Sequence, residues 1–207
     1  ITIRIPWGKR MLQEPTVMLD NLVLSLSDSL DLIHPRAVDH QQRVAYIALR
    51  IAKAMGHHPD EQADLMYASV LHDIGLLSVE EKILSMKADS KDEGWHAGVG
   101  ADLLRRFSSF SRASQIVRLH HRSWSDEPGQ NETDDIRILA NMLSLADHVD
   151  RFANRETEIL GQAKAVVERV SQLAGKEFSP GIVECFRELA AEESFWLDFA
   201  SPRIYSV

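Results

Sequence analysis

Cysteine is almost missing from this sequence: Cys185 is the single one, so no disulfide can close within the chain, and a reducing compartment suits it. Basic residues are in deficit, 23 Lys and Arg against 31 Asp and Glu, for a formal charge of -8. A nucleic-acid polymer needs a broad basic face, so that class of partner is excluded. A small anionic ligand is not, because a bound metal supplies positive charge that a formal count omits. No apolar run reaches membrane-spanning length and no stretch reads as a signal peptide, so a cytoplasmic location is expected. Strand signals are lacking too: no alternating run of convincing length occurs, and no internal repeat, which leaves an all-α fold. The chain begins at Ile1, not Met, and a longer parent protein is therefore expected. At 207 residues and 44% hydrophobic content it suits one globular domain, alone or with a small appendage. What it has in quantity is histidine, 9 in all.

In chain order, Ile1 to Pro15 reads as irregular or extended. Thr16 to Ile33 carries Leu19, Leu22, Leu26, Leu30 and Ile33 at helical spacing. Its apolar residues occupy more than one face, so it is either a lead-in helix or a homodimer helix spanning 16–33. His34-Pro35 breaks the pattern and Asp39 is placed to cap the next helix. There Val44, Ile47, Ala48, Ile51, Ala52 and Met55 form a stripe, with His40 on the same face and Gly56 at the stop. Pro59-Asp60 opens a helix whose Leu65 and Ala68 share a face with His72. Val79, Ile83 and Leu84 mark a short helix, and Lys87 to Glu93 a polar loop that is either a lid or a plain connector. His96, Val99, Gly100, Leu103, Leu104 and Phe107 then keep helical spacing. Ser111 to His121 forms a short helix with Ile116 and His120 on one face. Ser123 to Asp134 is a loop around Pro128-Gly129. The next stripe is Ile136, Leu139, Ala140, Leu143, Asp147 and Asp150. Helices over Glu156–Ala174 and Pro180–Ala191 follow, with Gly175 and Ser179 at their ends, and Phe195 to Phe199 packs as an aromatic tail.

His40, His72, Asp73, His96, His120 and Asp147 thus fall on or beside apolar stripes, with His121 next to His120. One histidine in such a place is ordinarily a hydrogen-bonded core residue. Buried polar groups need partners, and separate partners for this many are harder to supply than one shared metal centre. Imidazoles with carboxylates suit iron, manganese, zinc or nickel, whereas calcium prefers oxygen cages. The set exceeds what one tetrahedral ion takes. Two divalent ions bridged by Asp73 use it naturally, an arrangement that activates water and holds a phosphoryl oxygen.

The ordered set His40, His72-Asp73, His96, His120-His121 and Asp147 resembles the HD superfamily, in its HD-GYP branch. The likeness rests on H-Q-Q-R-V-A from His40, L-H-D-I-G from Leu71 and H-A-G-V-G-A-D-L-L from His96. It continues in H-H-R from His120, L-A-D-H-V-D-R-F from Leu145 and F-S-P-G-I-V-E-C-F from Phe178, covering roughly Asp28 to Phe199. The resemblance implies an HD-type helical bundle with additional N- and C-terminal helices, residues 36–207 forming the metal-binding domain and 1–35 an N-terminal segment. It implies hydrolysis of cyclic di-GMP or a related cyclic nucleotide in the bacterial cytoplasm, by a hydroxide bridging two metals. His40, His72, Asp73 and Asp147 would hold one ion, and Asp73, His96, His120 and His121 the other, with iron or manganese foremost and nickel or zinc as alternatives. Asp73 is the central catalytic candidate; Arg122, Trp124 and Arg151 are candidates for substrate contact. A sensory or signalling domain or protein is an implied partner.

Three departures from that pattern stand out. Leu76 occupies the place of the branch's H-D-x-G-K lysine, with Lys82 the nearest replacement in sequence. The Gly-Tyr-Pro loop is absent after His121, where R-S-W-S-D-E-P-G-Q follows; Trp124 there can stack on a guanine or pack locally. Arg36 stands where three-metal members carry a glutamate, so two ions are expected. The function is then a phosphodiesterase or, alternatively, a weak or inactive module that signals through nucleotide or protein binding. A diiron oxygenase is a third reading. His34, His57, His58 and His148 read as solvated, Cys185 as a small core residue, and Asp150 with Arg151 as lining the site mouth or forming surface pairs.

Overall fold

Helical periodicity is realised almost throughout the chain. The computed structural model describes residues 2–4, 16–31, 39–76, 94–129 and 132–201. Strands β1 (Thr2–Arg4) and β2 (Thr16–Met18) pair antiparallel, and α1 (Leu19–Asp31) follows directly. Thr16 to Met18 was expected in the helix; β-branched Thr16 and Val17 pair with β1 instead. The bundle proper comprises α2 (His40–Ala54), α3 (Pro59–Leu71), α4 (Gly94–Leu104), α5 (Ser111–Leu119) and α6 (Asp134–Phe152). Then α7 (Ile159–Ser171), α8 (Pro180–Ala190) and α9 (Glu193–Phe199) close the fold. Short strands do not alter the all-α class. His34, Arg36, Lys82, the helix expected around Val79, Ile83 and Leu84, and the polar run Lys87 to Glu93 lie outside the described residues.

The core joins α2, α3, α5 and α6, and α8 and α9 cover α2 from the other side. Val44, Ile47, Ala48, Ile51 and Ala52 are buried as their stripe predicts, and so are Leu65, Ala68, Ile116, Leu139 and Leu143. Leu19 and Val23 of α1 enter the same core, while Leu26 faces outward. The tail packs as expected: Phe195 and Trp196 meet edge to face with ring centroids 5.3 Å apart, and Phe186 and Phe199 flank them.

Helix ends explain most departures from the expected boundaries. Gly56, at φ 77, ends α2 with the two backbone bonds of a Schellman turn, Gly56 N–H to Lys53 and His57 N–H to Ala52. Asp39 precedes α2 but makes no side-chain cap, because it adopts φ 58 and offers only its carbonyl to Arg43. Aspartate tolerates that left-handed conformation. His58, not a serine-type residue, caps α3 through Asp60 N–H, in a capping box with Glu61. The Glu156–Ala174 helix shortens to α7 because Glu158 captures the Leu160 and Gly161 amides. Met55 is exposed because it lies past the last turn of α2. Leu103 and Phe107 are also exposed, at 37% and 59%. The α4 helix stops at Leu104, and its inward face is His96, Ala97, Gly100, Ala101 and Leu104.

Gly75 and Gly100 allow one backbone to lie against another. A Cβ added at Gly75 would sit 2.1 Å from the His96 carbonyl oxygen and 2.7 Å from the Gly100 nitrogen. Gly98, on the same helix, has open space around it. Gly75→Ala should therefore destabilise the chain by about 1–3 kcal/mol, as overpacking does, and Gly98→Ala should stabilise it by about 0.5–1 kcal/mol through helix propensity. Urea unfolding of both variants checks this; equal effects would contradict the backbone contact.

Candidate metal centre

Each predicted ligand sits where a helix begins, ends or presents its inner face. His40 is the first residue of α2, and His72 caps the end of α3. A tight turn after α3, with Ile74 N–H on Leu71 and Leu76 N–H on Asp73, swings Asp73 inward. His96 lies in the first turn of α4, His120 caps the end of α5 with His121 next, and Asp147 is well inside α6. Leu76, in the place of the expected lysine, is buried.

The structure brings all seven together. Asp73 stands at the middle: its Oδ1 is 3.4 Å from His72 Nε2 and 3.6 Å from His96 Nε2, and its Oδ2 is 3.7 Å from His40 Nε2. Asp147 Oδ1 lies 3.5 Å from His40 Nε2 and 3.9 Å from His72 Nε2. His96, His120 and His121 form a second group, with His96 Nε2 and His121 Nε2 only 3.1 Å apart. Two clusters result, His40/His72/Asp73 and His96/His120/His121, each with ligand atoms within 4.8 Å of one another. Gln41 Nε2 donates to Asp73 Oδ2 from 3.3 Å.

Protonation follows from the partners of each ring. A carbonyl only accepts, so His72 Nδ1 carries a proton and donates to Ser69 O at 2.8 Å. His120 Nδ1 does the same to Val117 O at 2.6 Å. Both rings therefore keep Nδ1 on the backbone and turn Nε2 toward the centre, the orientation a metal ligand needs. His120 is fully buried, and that burial, with His72 and His96 beside it, lowers its pKa from 6.5 to about 3. Burial and then His120 hold His121 well below its ordinary value. Burial works to raise the Asp147 pKa, but Arg151, His72 and His40 outweigh it and hold the carboxyl ionised.

The fit to a metal rests on one orphaned atom. His120 Nε2 is buried and has no hydrogen-bond partner, a costly state for a ring nitrogen. Its neighbours in the cluster are further imidazoles, and a soft-to-borderline divalent cation is the species that satisfies such a set. Nitrogen and carboxylate donors without a carbonyl cage fit a transition metal and not calcium.

The remaining candidates are placed differently. Arg122 is committed to its own loop, pairing with Glu132 and donating to the Glu127 carbonyl at 2.5 Å. Trp124 has Arg137 over one ring face at 4.3 Å, and its N–H donates to Glu177 O at 3.0 Å. Arg151 has a largely buried side chain, and its Nε lies 3.4 Å from Asp147 Oδ2. Asp150 is no surface pair either. It is buried, and it accepts from His40 Nδ1 at 2.7 Å, Arg43 Nε at 2.5 Å and Arg155 Nη2 at 2.9 Å. Its place on the Asp147 stripe was the available sequence signal. His148 is half-buried, bonded through Nδ1 to Ser144 O and packed on Phe152 and Phe178, where a solvated ring was expected. His57 pairs with Glu61, and among the described histidines only His58 is well exposed.

Comparisons with known proteins follow the same outline. The profile of the HD domain family matches residues 37–151. The 3'3'-cGAMP-specific phosphodiesterase 2 of Vibrio cholerae is 27% identical over 177 residues, 81% of this chain and 34% of that protein. The cyclic di-GMP phosphodiesterase of Thermotoga maritima is 27% identical over 163 residues, 74% of this chain and 44% of its own length. The chain thus spans less than half the length of these curated relatives. A crystal structure of a cyclic GMP-AMP-specific phosphodiesterase from Vibrio cholerae superposes with a TM-score of 0.70 at 20% identity, over 91% of this chain and 52% of that one, a likeness of fold. Among the described residues no helix is long and apolar enough to cross a membrane.

Metal-free protein should lose stability on acidification. The folded state keeps His120 neutral, so below the ordinary pKa of 6.5 the unfolded chain binds more protons than the folded one, down to about 3. The slope from His120 is about 1.4 kcal/mol per pH unit once the unfolded imidazole is protonated. Asp147, held low, adds a further loss as pH falls below its ordinary 3.8. Urea midpoints of chelated protein should fall from pH 7 to 5, and less steeply in His120→Gln; parallel profiles would contradict the buried neutral ring.

Proposed function

This chain belongs to the HD domain family, and from that membership we propose that it is a metal-dependent phosphodiesterase acting on a cyclic dinucleotide. The observation that carries the reading is Asp73 standing between two imidazole groups, with a bare, unpartnered His120 Nε2 in one of them. His40, His72, Asp73 and Asp147 hold one divalent ion; Asp73, His96, His120 and His121 hold the second. Iron or manganese is the proposed pair, with nickel or zinc as substitutes. Such a pair acidifies a water and neutralises charge on a phosphoryl group.

The chain's own residues do the rest. His72 and His120, locked by backbone carbonyls, present their lone pairs without reorganisation. Arg151 keeps Asp147 ionised and lies where it can meet a phosphate oxygen. Water attacks phosphorus in line with the departing ribose oxygen. Cyclic di-GMP and 3'3'-cGAMP are the candidate substrates, being those that the names of the bacterial relatives carry. Residues 36–207 are the proposed metal-binding domain, working in the bacterial cytoplasm, with 1–35 leading into it and the exposed Leu26 favouring a second copy against α1.

One observation favours a second reading, a weak or inactive module that signals by binding. Leu76 is buried and uncharged, Arg122 is paired with Glu132, and Trp124 has Arg137 over one ring face, so the lysine's charge is not replaced by these groups.

Purified protein should carry about two transition-metal ions per chain, one per cluster, and Asp73→Ala should lose most of both. Elemental analysis showing unchanged metal in that variant would retire the bridging role. Incubation with cyclic di-GMP or 3'3'-cGAMP under reducing conditions with added Mn(II) should yield linear product by chromatography. Intact nucleotide together with calorimetric binding would favour the signalling module, and oxygen consumption would point to the oxygenase class.

A further inference from the structure

We propose that Asp150 is a positioning residue for this centre: it fixes the tautomer of His40, so that Nε2 and not Nδ1 faces the ions. The inference rests on the reading of His40 as a ligand. The reason for a dedicated acceptor lies in where His40 sits. His72 and His120 end their helices, and each donates its Nδ1 proton to a carbonyl three residues earlier, Ser69 O and Val117 O. His40 opens its helix, where the backbone groups without a helical partner are N–H donors. Its backbone predecessor, Asp39, is left-handed, and its carbonyl already accepts from Arg43 N–H at 3.0 Å. The ring must find an acceptor from another element.

Asp150 supplies it, one helical turn beyond Asp147 on α6. Its Oδ2 accepts the His40 Nδ1 proton at 2.7 Å and an Arg155 bond at 2.9 Å, and its Oδ1 accepts from Arg43 Nε at 2.5 Å. With three donors on it, the carboxylate is clamped in place, by Arg43 from the helix of His40 itself and by Arg155 from the turn after α6. One face of α6 therefore provides both a ligand, Asp147, and the group that orients the ligand opposite it. The clamp also sets this imidazole apart from the other two: a carboxylate acceptor makes Nε2 a stronger donor than a carbonyl acceptor does.

The test uses Asp150→Asn, which keeps the shape but removes the charge and one acceptor. Affinity for one of the two ions should fall about 10- to 100-fold, the usual cost of losing such an outer partner, with the other unchanged, in zinc competition against a chelator. In zinc-loaded protein labelled with 15N-histidine, wild-type His40 should show a hydrogen-bonded Nδ1 proton in the downfield region, and the variant should lose that signal. The NMR measurement on wild type stands even where the variant folds poorly: a His40 proton on Nε2, or zinc on Nδ1, overturns the role outright. Two ions bound by Asp150→Asn with wild-type affinity overturn it alone. A wild-type chain that binds no metal overturns the ligand assignment and this role together.

Discussion

The carboxylate of Asp73 is the constraint around which the interior is arranged. It is nearly buried, has imidazoles within 4 Å on both sides, and shares the space with a second buried carboxylate, Asp147. Charge of that density in a protein core is tolerable only when matched by opposite charge. His120 brings no proton to that match at neutral pH, since burial holds its pKa down to about 3. Cations between the rings match it directly. The helix termini of α2, α3 and α5 and the inner face of α6 converge on this carboxylate pair.

Much of this was legible in the sequence because the ligands violate a pattern that is otherwise obeyed. His40, His72, His96, His120 and Asp147 interrupt apolar stripes, and those stripes are buried as their spacing predicts except at Met55, Leu103 and Phe107. What was not legible depends on contacts between distant segments. Asp150 sits visibly on the Asp147 stripe, but nothing local reveals that its partner is His40, 110 residues away. Phe107 keeps helical spacing with Leu103 although the helix has already ended, because the turn after Leu104 is set by packing and not by propensity. Asp39 has the composition of a cap and the conformation of a turn.

The loop after His121 illustrates how a missing motif can leave behind a built structure. Ser123 bonds Glu177, Trp124 and Ser125 N–H groups donate to Glu177 and Lys176 carbonyls, and Arg137 ties the loop back to α6. Asn141 completes the anchor, donating to Glu177 O and accepting from Ser179 N–H. Polar groups that satisfy one another present a fixed surface rather than a flexible one. Any ligand approaching His120 and His121 from this side meets a shape decided in advance.

The approach of Gly75 to the first turn of α4 carries a different lesson. Asp73 and His96 come from segments separated by a long stretch of chain, yet their register is fixed where the Gly75 backbone lies against His96 and Gly100. A side chain on either backbone would force the two segments apart, so the spacing of Asp73 from His96 rests on a main-chain contact that only the smallest residue allows.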